Sequence, residues 1–105
     1  MKTMIDDLMK DRIEKWLESL NEKERSQVEL LDAYFTFRRN LPGEEENLGK
    51  PAEDHKTTDE IIDDLSSMML VEQSVVVGWM RNHNFHITTI ADGTVKWAIW
   101  RFLKF

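Results

Sequence analysis

Residues 57–101, TTDEIIDDLSSMMLVEQSVVVGWMRNHNFHITTIADGTVKWAIWR, limit what this chain can fold into more than any other stretch. Thr57 opens them with Glu60 three residues on, a spacing at which side chains and backbone cap each other at a helix start. Ile61, Ile62 and Leu65 then face inward, leaving Asp59, Asp63 and Asp64 to water. Ser66-Ser67 lowers helix propensity and is expected to begin a turn. A second helix is expected from near Glu72 to near Asn84, with Val75, Val76, Trp79, Met80 and His83 as its buried stripe. Gln73, Ser74, Val77, Arg81 and Asn82 are left facing outward. Asn84 suits the left-handed position that closes a helix, and Phe85 packs just beyond it.

Two strand-like runs follow, around Asp92-Gly93. That dipeptide tolerates the positive φ that a two-residue hairpin turn needs. Such a turn pairs Ile90 with Val95, Thr88 with Trp97 and His86 with Ile99 on one face. The opposite face pairs Ala91 with Thr94, Thr89 with Lys96, Ile87 with Ala98 and Phe85 with Trp100. One face is therefore apolar almost throughout, and the other is polar only at the tip. A hairpin at the edge of a small domain buries one face on its own helices, so the surplus calls for a partner. Self-association is the simplest answer.

Upstream, residues 4–20 read as an amphipathic helix. Ile5, Leu8, Met9, Ile13, Trp16, Leu17 and Leu20 recur at three- and four-residue steps, with acids between them. Asn21 and Glu24 repeat the capping pattern, and a further helix is expected to run to about Arg39 with Val28, Leu31, Tyr34, Phe35 and Arg38 near one stripe. Core packing explains these stripes, and the first helix also suits packing against its copy in a dimer. Residues 41–56, LPGEEENLGKPAEDHK, hold both prolines and five acids without periodicity, and read as an exposed acidic loop.

The bulk composition fits one domain. A chain of 105 residues supports a single core, and 41% apolar with 32% charged residues is the profile of an ordinary globular protein. No apolar run nears the ~20 residues that cross a bilayer, and the acids of MKTMIDDLMKD do not suit a signal peptide, so the cytoplasm is the expected compartment. The lack of cysteine excludes disulfides, thiol nucleophiles and thiolate-bound zinc. Charge is uneven. Residues 1–71 carry 10 Lys+Arg against 18 Asp+Glu, a net of −8, whereas residues 72–105 carry 4 against 2, a net of +2.

Helix, turn, helix and hairpin, with Ile61 and Leu65 on the first arm, Val75 and Trp79 on the second, then Phe85 and Asp92-Gly93, resemble the winged helix-turn-helix superfamily. Residues 25–39 would serve as its first helix, which brings about three-quarters of the chain into the resemblance. The turn departs from the tight form of the motif: it has no Gly, and ten residues separate Leu65 from Val75, which favours the winged variant. The resemblance implies an α+β, mostly helical fold. The winged-helix domain is then expected at 22–105, and the amphipathic helix at 1–21, which that plan does not need, is left as a candidate dimerisation element.

Function follows from that resemblance as two expectations. The leading one is DNA binding by a small regulator, with Gln73 and Ser74 at base edges, Arg81 on a phosphate and Lys96 touching phosphate from the wing. Glu72 at the helix start and Asp92 at the wing tip oppose it, because both repel phosphate. The rival is a module that binds protein through its apolar hairpin and acidic flank. Neither needs an enzyme or a cofactor. His83 and His86 lie three residues apart but on different elements, without a third ligand, and Asp59, Glu60, Asp63 and Asp64 read as a solvated face rather than a cation site.

Overall fold

Both capping boxes form, and they set where two of the four helices begin. The computed structural model describes residues 4–42 and 51–102, with side chains from Leu8 onward. Helix α1 spans Met4–Glu18 and α2 spans Glu22–Tyr34. Asn21 Oδ1 accepts the Glu24 N–H at 2.8 Å, and the Glu24 carboxylate accepts the Asn21 N–H at 3.0 Å. Helix α3, Thr58–Leu65, starts the same way, through Thr57 and Glu60. Each such cap stabilises its helix by about 1 kcal/mol. Helix α4, Gln73–Asn82, ends on Asn84 at φ 61°, with the Phe85 N–H reaching Met80 O at 2.9 Å and the Asn84 N–H reaching Arg81 O at 3.2 Å. Those two bonds close a helix around a left-handed residue and turn Phe85 back onto the core.

Five short strands follow the helices in space: β1 (Arg38–Arg39), β2 (Pro51–Glu53), β3 (Ile87–Thr89), β4 (Val95–Trp97) and β5 (Trp100–Phe102). β5 lies between β1 and β2, antiparallel to both, and β3 pairs antiparallel with β4. Bonds outside the named strands join the two sheets. Asp54 N–H reaches Ile99 O, Lys56 and Trp97 exchange both backbone bonds, and Ala98 N–H reaches His86 O. Residues 95–102 therefore form one central ribbon, with 51–56 along one edge and β3, then β1, along the other.

Four expectations need correction here. α2 stops at Tyr34 rather than near Arg39, because Arg38 and Arg39 pair with Arg101 and Trp100 instead. The stretch 41–56 is not all loop: residues 51–56 bind the ribbon edge, while residues 43–50 lie outside the described residues. The hairpin is shifted by one residue, pairing Ile87 with Trp97, Thr88 with Lys96 and Thr89 with Val95. Its loop has three residues, Ala91-Asp92-Gly93, not two: Gly93 at φ 88° donates to Ile90 O, and the Ile90 N–H reaches Thr94 O. A type I turn closed by a left-handed glycine gives this geometry, and one extra loop residue moves every cross-strand pair. The chain is also about half helical rather than mostly so.

The core lies among α2, α3, α4 and the ribbon. Leu31, Ile61, Val76, Met80 and Ile99 are fully buried, and Phe35, Trp79 and Phe85 form an aromatic cluster against them. Gln27 is also fully buried and ties α2 to the start of α4: its Oε1 accepts the Glu72 N–H at 2.8 Å, and its amide donates to the Glu72 carboxylate at 3.3 Å. A charged chain links the other side. Arg38 pairs with Asp54 at 3.0 Å, and Lys56 meets Asp54 at 3.7 Å and Asp64 at 3.0 Å. The Tyr34 hydroxyl completes it by donating to Asp64, so β1, β2, α2 and α3 are held together. Burial and that bond to Asp64 push the Tyr34 phenol well above its usual range. Burial also raises Asp64, but the Tyr34 hydroxyl and Lys56 outweigh it and hold the carboxyl below its usual range.

Candidate interaction surface

Helix α4 has two sides. Val75, Val76, Trp79 and Met80 are buried, and Gln73, Ser74 and Arg81 are exposed as expected. What surrounds the exposed side was not legible in advance. Gln73 donates its amide to Asp59 of α3 at 2.9 Å. Lys96, on β4, sits 3.1 Å from the Glu60 carboxylate. The Thr57 backbone and Lys96 together keep Glu60 below the usual carboxylate range. Two of the four residues expected to meet DNA are thus engaged with acids of α3, and only Ser74 and Arg81 project without such a contact.

The C-terminal half of α4 is partly covered by α1. Gly78 sits directly beneath the Trp16 indole: a Cβ at position 78 would lie 2.7 Å from the ring. Glycine is needed there by close approach rather than by backbone angle. Arg12 donates to Asn82 O at 3.0 Å and to Asn84 Oδ1 at 2.7 Å, a cation placed at the negative end of the helix. Trp16, Leu17 and Leu20 pack on the domain's own core, so the stripe read as a dimer seam has an intramolecular partner. Val77 is half-buried rather than free. Arg12, Trp16, Arg81 and Asn82 line the shallow groove that remains.

His83 lies on the back of α4, stacked on Trp79 with ring centres 3.9 Å apart. Burial lowers its pKa, and Arg12 adds to the effect against the opposing pull of Asp32. It borders a cleft of about 370 Å³ floored by Phe35, Trp79 and Phe85. Those three aromatics are almost wholly covered, and Asp32, Arg38, Arg39, Asn40 and His83 make up most of the remaining lining. Among the described residues no group of three His, Cys, Asp or Glu is placed to hold a metal ion.

Among the described residues a run of three successive exposed apolar side chains lies in the turn between α3 and α4, which the sequence reading passed over. Met68 is 65% exposed, Met69 36% and Leu70 75%, while Val71 next to them is buried. The signal was present: three successive apolar residues beyond a helix end fit neither helical nor strand periodicity. The charge around them is one-sided. From residue 57 to residue 80 there are five acids, Asp59, Glu60, Asp63, Asp64 and Glu72, and no Lys, Arg or His. Lys96 and Lys56, from outside the stretch, meet Glu60 and Asp64. Among the described residues no cation pairs with Asp59, Asp63 or Glu72.

The hairpin adds a smaller apolar patch. Ile87 is 66% exposed and Val95 52%, and their registers place them on one face, two residues apart. Its tip carries Asp92, whose carboxylate accepts the Thr94 N–H at 2.8 Å and is held below its usual range by the Thr94 hydroxyl and by that backbone bond. The loop residues Ala91, Asp92 and Gly93 carry no cation, and Lys96, near enough to act on Asp92, is paired with Glu60. Among the described residues no helix is long and apolar enough to cross a membrane. Compared with family models, curated proteins and solved structures, the chain finds no match.

Proposed function

We propose that this chain is a winged-helix domain, without enzymatic activity, that works by docking another protein. The order of elements supports the winged-helix part of this reading. α2, the 51–56 strand, α3, α4 and the hairpin succeed one another, and the 95–102 ribbon lies between the 51–56 strand and β3. In that scheme α4 is the helix that would enter a major groove and β3–β4 the wing.

The observation that carries the functional part is the charge of the stretch from 57 to 80, which has five acids and no cation. It includes the start of α4, where groove-reading side chains would sit. DNA binders neutralise phosphates with Lys and Arg, and each uncompensated acid at the contact opposes them. Here Gln73 and Lys96 face acids of the same domain, and α1 covers part of the remaining side of α4. A surface with exposed apolar side chains and an acidic surround suits a protein partner better than a polyanion.

One observation favours DNA as a second reading: Arg12 and Arg81 line the same groove between α1 and α4. Titration with mixed duplex DNA at low salt separates the two. The docking reading expects no saturable binding. If binding appears, with log K falling linearly in log salt and Arg81→Ala lowering the slope by about one, the DNA reading replaces it.

A further inference from the structure

We infer that the partner docked by this domain is a cationic amphipathic helix, seated with its apolar side on Met68, Met69 and Leu70 and its Lys or Arg residues over Asp63 and Glu72. The inference rests on the protein-docking reading and goes beyond it by naming the surface and the partner's chemistry.

Three observations meet at this turn. The first is exposure: Met68 and Leu70 stand in water beside Val71, which is only 2% exposed, so the turn is anchored while its neighbouring side chains are free. The anchoring is specific. Met68 and Met69 both donate their N–H to Leu65 O, at 3.0 and 3.1 Å, and the Glu72 N–H is held by Gln27. A preorganised turn loses little entropy when it is covered. The second is side-chain type. Methionine is unbranched and polarisable, and adapts its shape to apolar partners of differing outline. Three residues reach at most about 10 Å, which matches roughly two turns of a helix presenting apolar residues three and four apart.

The third observation is charge, and it fixes the partner's sign. Asp63 precedes the turn and is exposed, and among the described residues no cation forms an ion pair with it. Glu72 follows the turn, and its carboxylate accepts from the neutral amide of Gln27, with no ion pair to a cation among the described residues. Lys56 and Lys96 are already engaged with Asp64 and Glu60. A neutral or acidic helix would leave Asp63 and Glu72 facing its own carboxylates or losing water without compensation, whereas Lys or Arg flanking an apolar stripe matches both requirements.

The test uses the full chain labelled with 13C at the methionine methyls. The probe is a 14-residue Leu/Lys peptide with its leucines on one helical face. Its Leu/Glu counterpart and a scramble of the same Leu/Lys composition are the controls. The Leu/Lys helix should give saturable shifts of the Met68 and Met69 methyls, and neither control should. Asp63→Lys should weaken it by about tenfold or more, because it reverses an exposed rim charge. Leu70→Ser, three-quarters exposed and tolerable to the fold, should do the same. Circular dichroism checks that both variants stay folded. If the peptide does not saturate, shifts methyls elsewhere, or binds no better than its scramble, the inference is overturned. With duplex DNA also silent, that result removes this partner and leaves the broader docking reading standing. Salt-dependent DNA binding governed by Arg81 removes both.

Discussion

Replacing Gly78 by alanine is expected to destabilise the protein, and to stabilise it once Trp16 is truncated. An alanine in a helix interior is about 0.5–1 kcal/mol better than glycine, so an unobstructed Gly78→Ala would be favourable. It is obstructed. The added methyl would lie 2.7–2.8 Å from three indole atoms of Trp16, inside van der Waals contact. Moving an aromatic ring or its helix out of such a contact costs about 1–3 kcal/mol. The net expectation is a loss of roughly 0.5–2 kcal/mol in the native background. In a Trp16→Ala background the clash is absent and the same change should gain about 0.5–1 kcal/mol. Urea unfolding of the four proteins, followed by far-ultraviolet circular dichroism, yields the coupling directly, and about 1–3 kcal/mol is expected. If alanine stabilises both backgrounds equally, Trp16 does not rest on Gly78 and the cover that α1 gives α4 is wrong.

Three further outcomes follow from contacts already described. Gln27→Leu should lower stability by about 1–2 kcal/mol in the same urea assay, because it removes the acceptor of the Glu72 N–H in a partly buried setting; an unchanged midpoint would mean that the α2–α4 bridge is dispensable. Gly93→Ala should lose about 1 kcal/mol through backbone strain alone, since φ is 88° and nothing lies within 4 Å of the new methyl; no loss would mean a different hairpin loop. On acidification, His83 has a folded pKa below its unfolded value near 6.5, so the unfolded state takes up the proton first. Its contribution is complete above that value and declines as pH falls from about 6.5 toward the depressed folded value. Glu60 and Asp64, also depressed, lose theirs only as pH falls through about 4 and below. Urea midpoints from pH 7.5 to 3 should show the earlier decline in the native protein and a smaller one in His83→Phe; equal declines would place His83 in water.

Local signals were read well because their causes are local. Asn21 with Glu24 and Thr57 with Glu60 need only four residues each, and both boxes form where they were expected. Asn84 closing α4 and Phe85 packing beyond it depend on six residues and were equally plain. What failed depended on distant partners. Arg38 and Arg39 continue a helical pattern in sequence, and only the edge of Trp100 and Arg101, some sixty positions away, pulls them into a strand. Pro51 to Lys56 carry no strand signature and take theirs from the same ribbon. The hairpin slip has a third origin: Asp92-Gly93 serves both two- and three-residue loops, and the side chains alone do not choose between them. The same division applies to the surface. Exposure of Gln73, Ser74 and Arg81 was legible from periodicity, whereas the acids that meet Gln73 and Lys96 come from α3 across the turn.

That last point bears on the proposed docking reading. In the proposed winged-helix scheme two adjoining surfaces would be available for recognition, the outer side of α4 and the turn that precedes it. In this chain Trp16 and Arg12 hold α1 across the C-terminal part of the first surface, and Asp59 and Glu72 give its N-terminal part the wrong sign for phosphate. Neither change disturbs the core, because the buried side of α4 is the same in either use. The turn, by contrast, keeps Met68 and Leu70 in water where polar residues would be less costly to solubility. On the proposed docking reading, a partner that covers the turn accounts for that exposure.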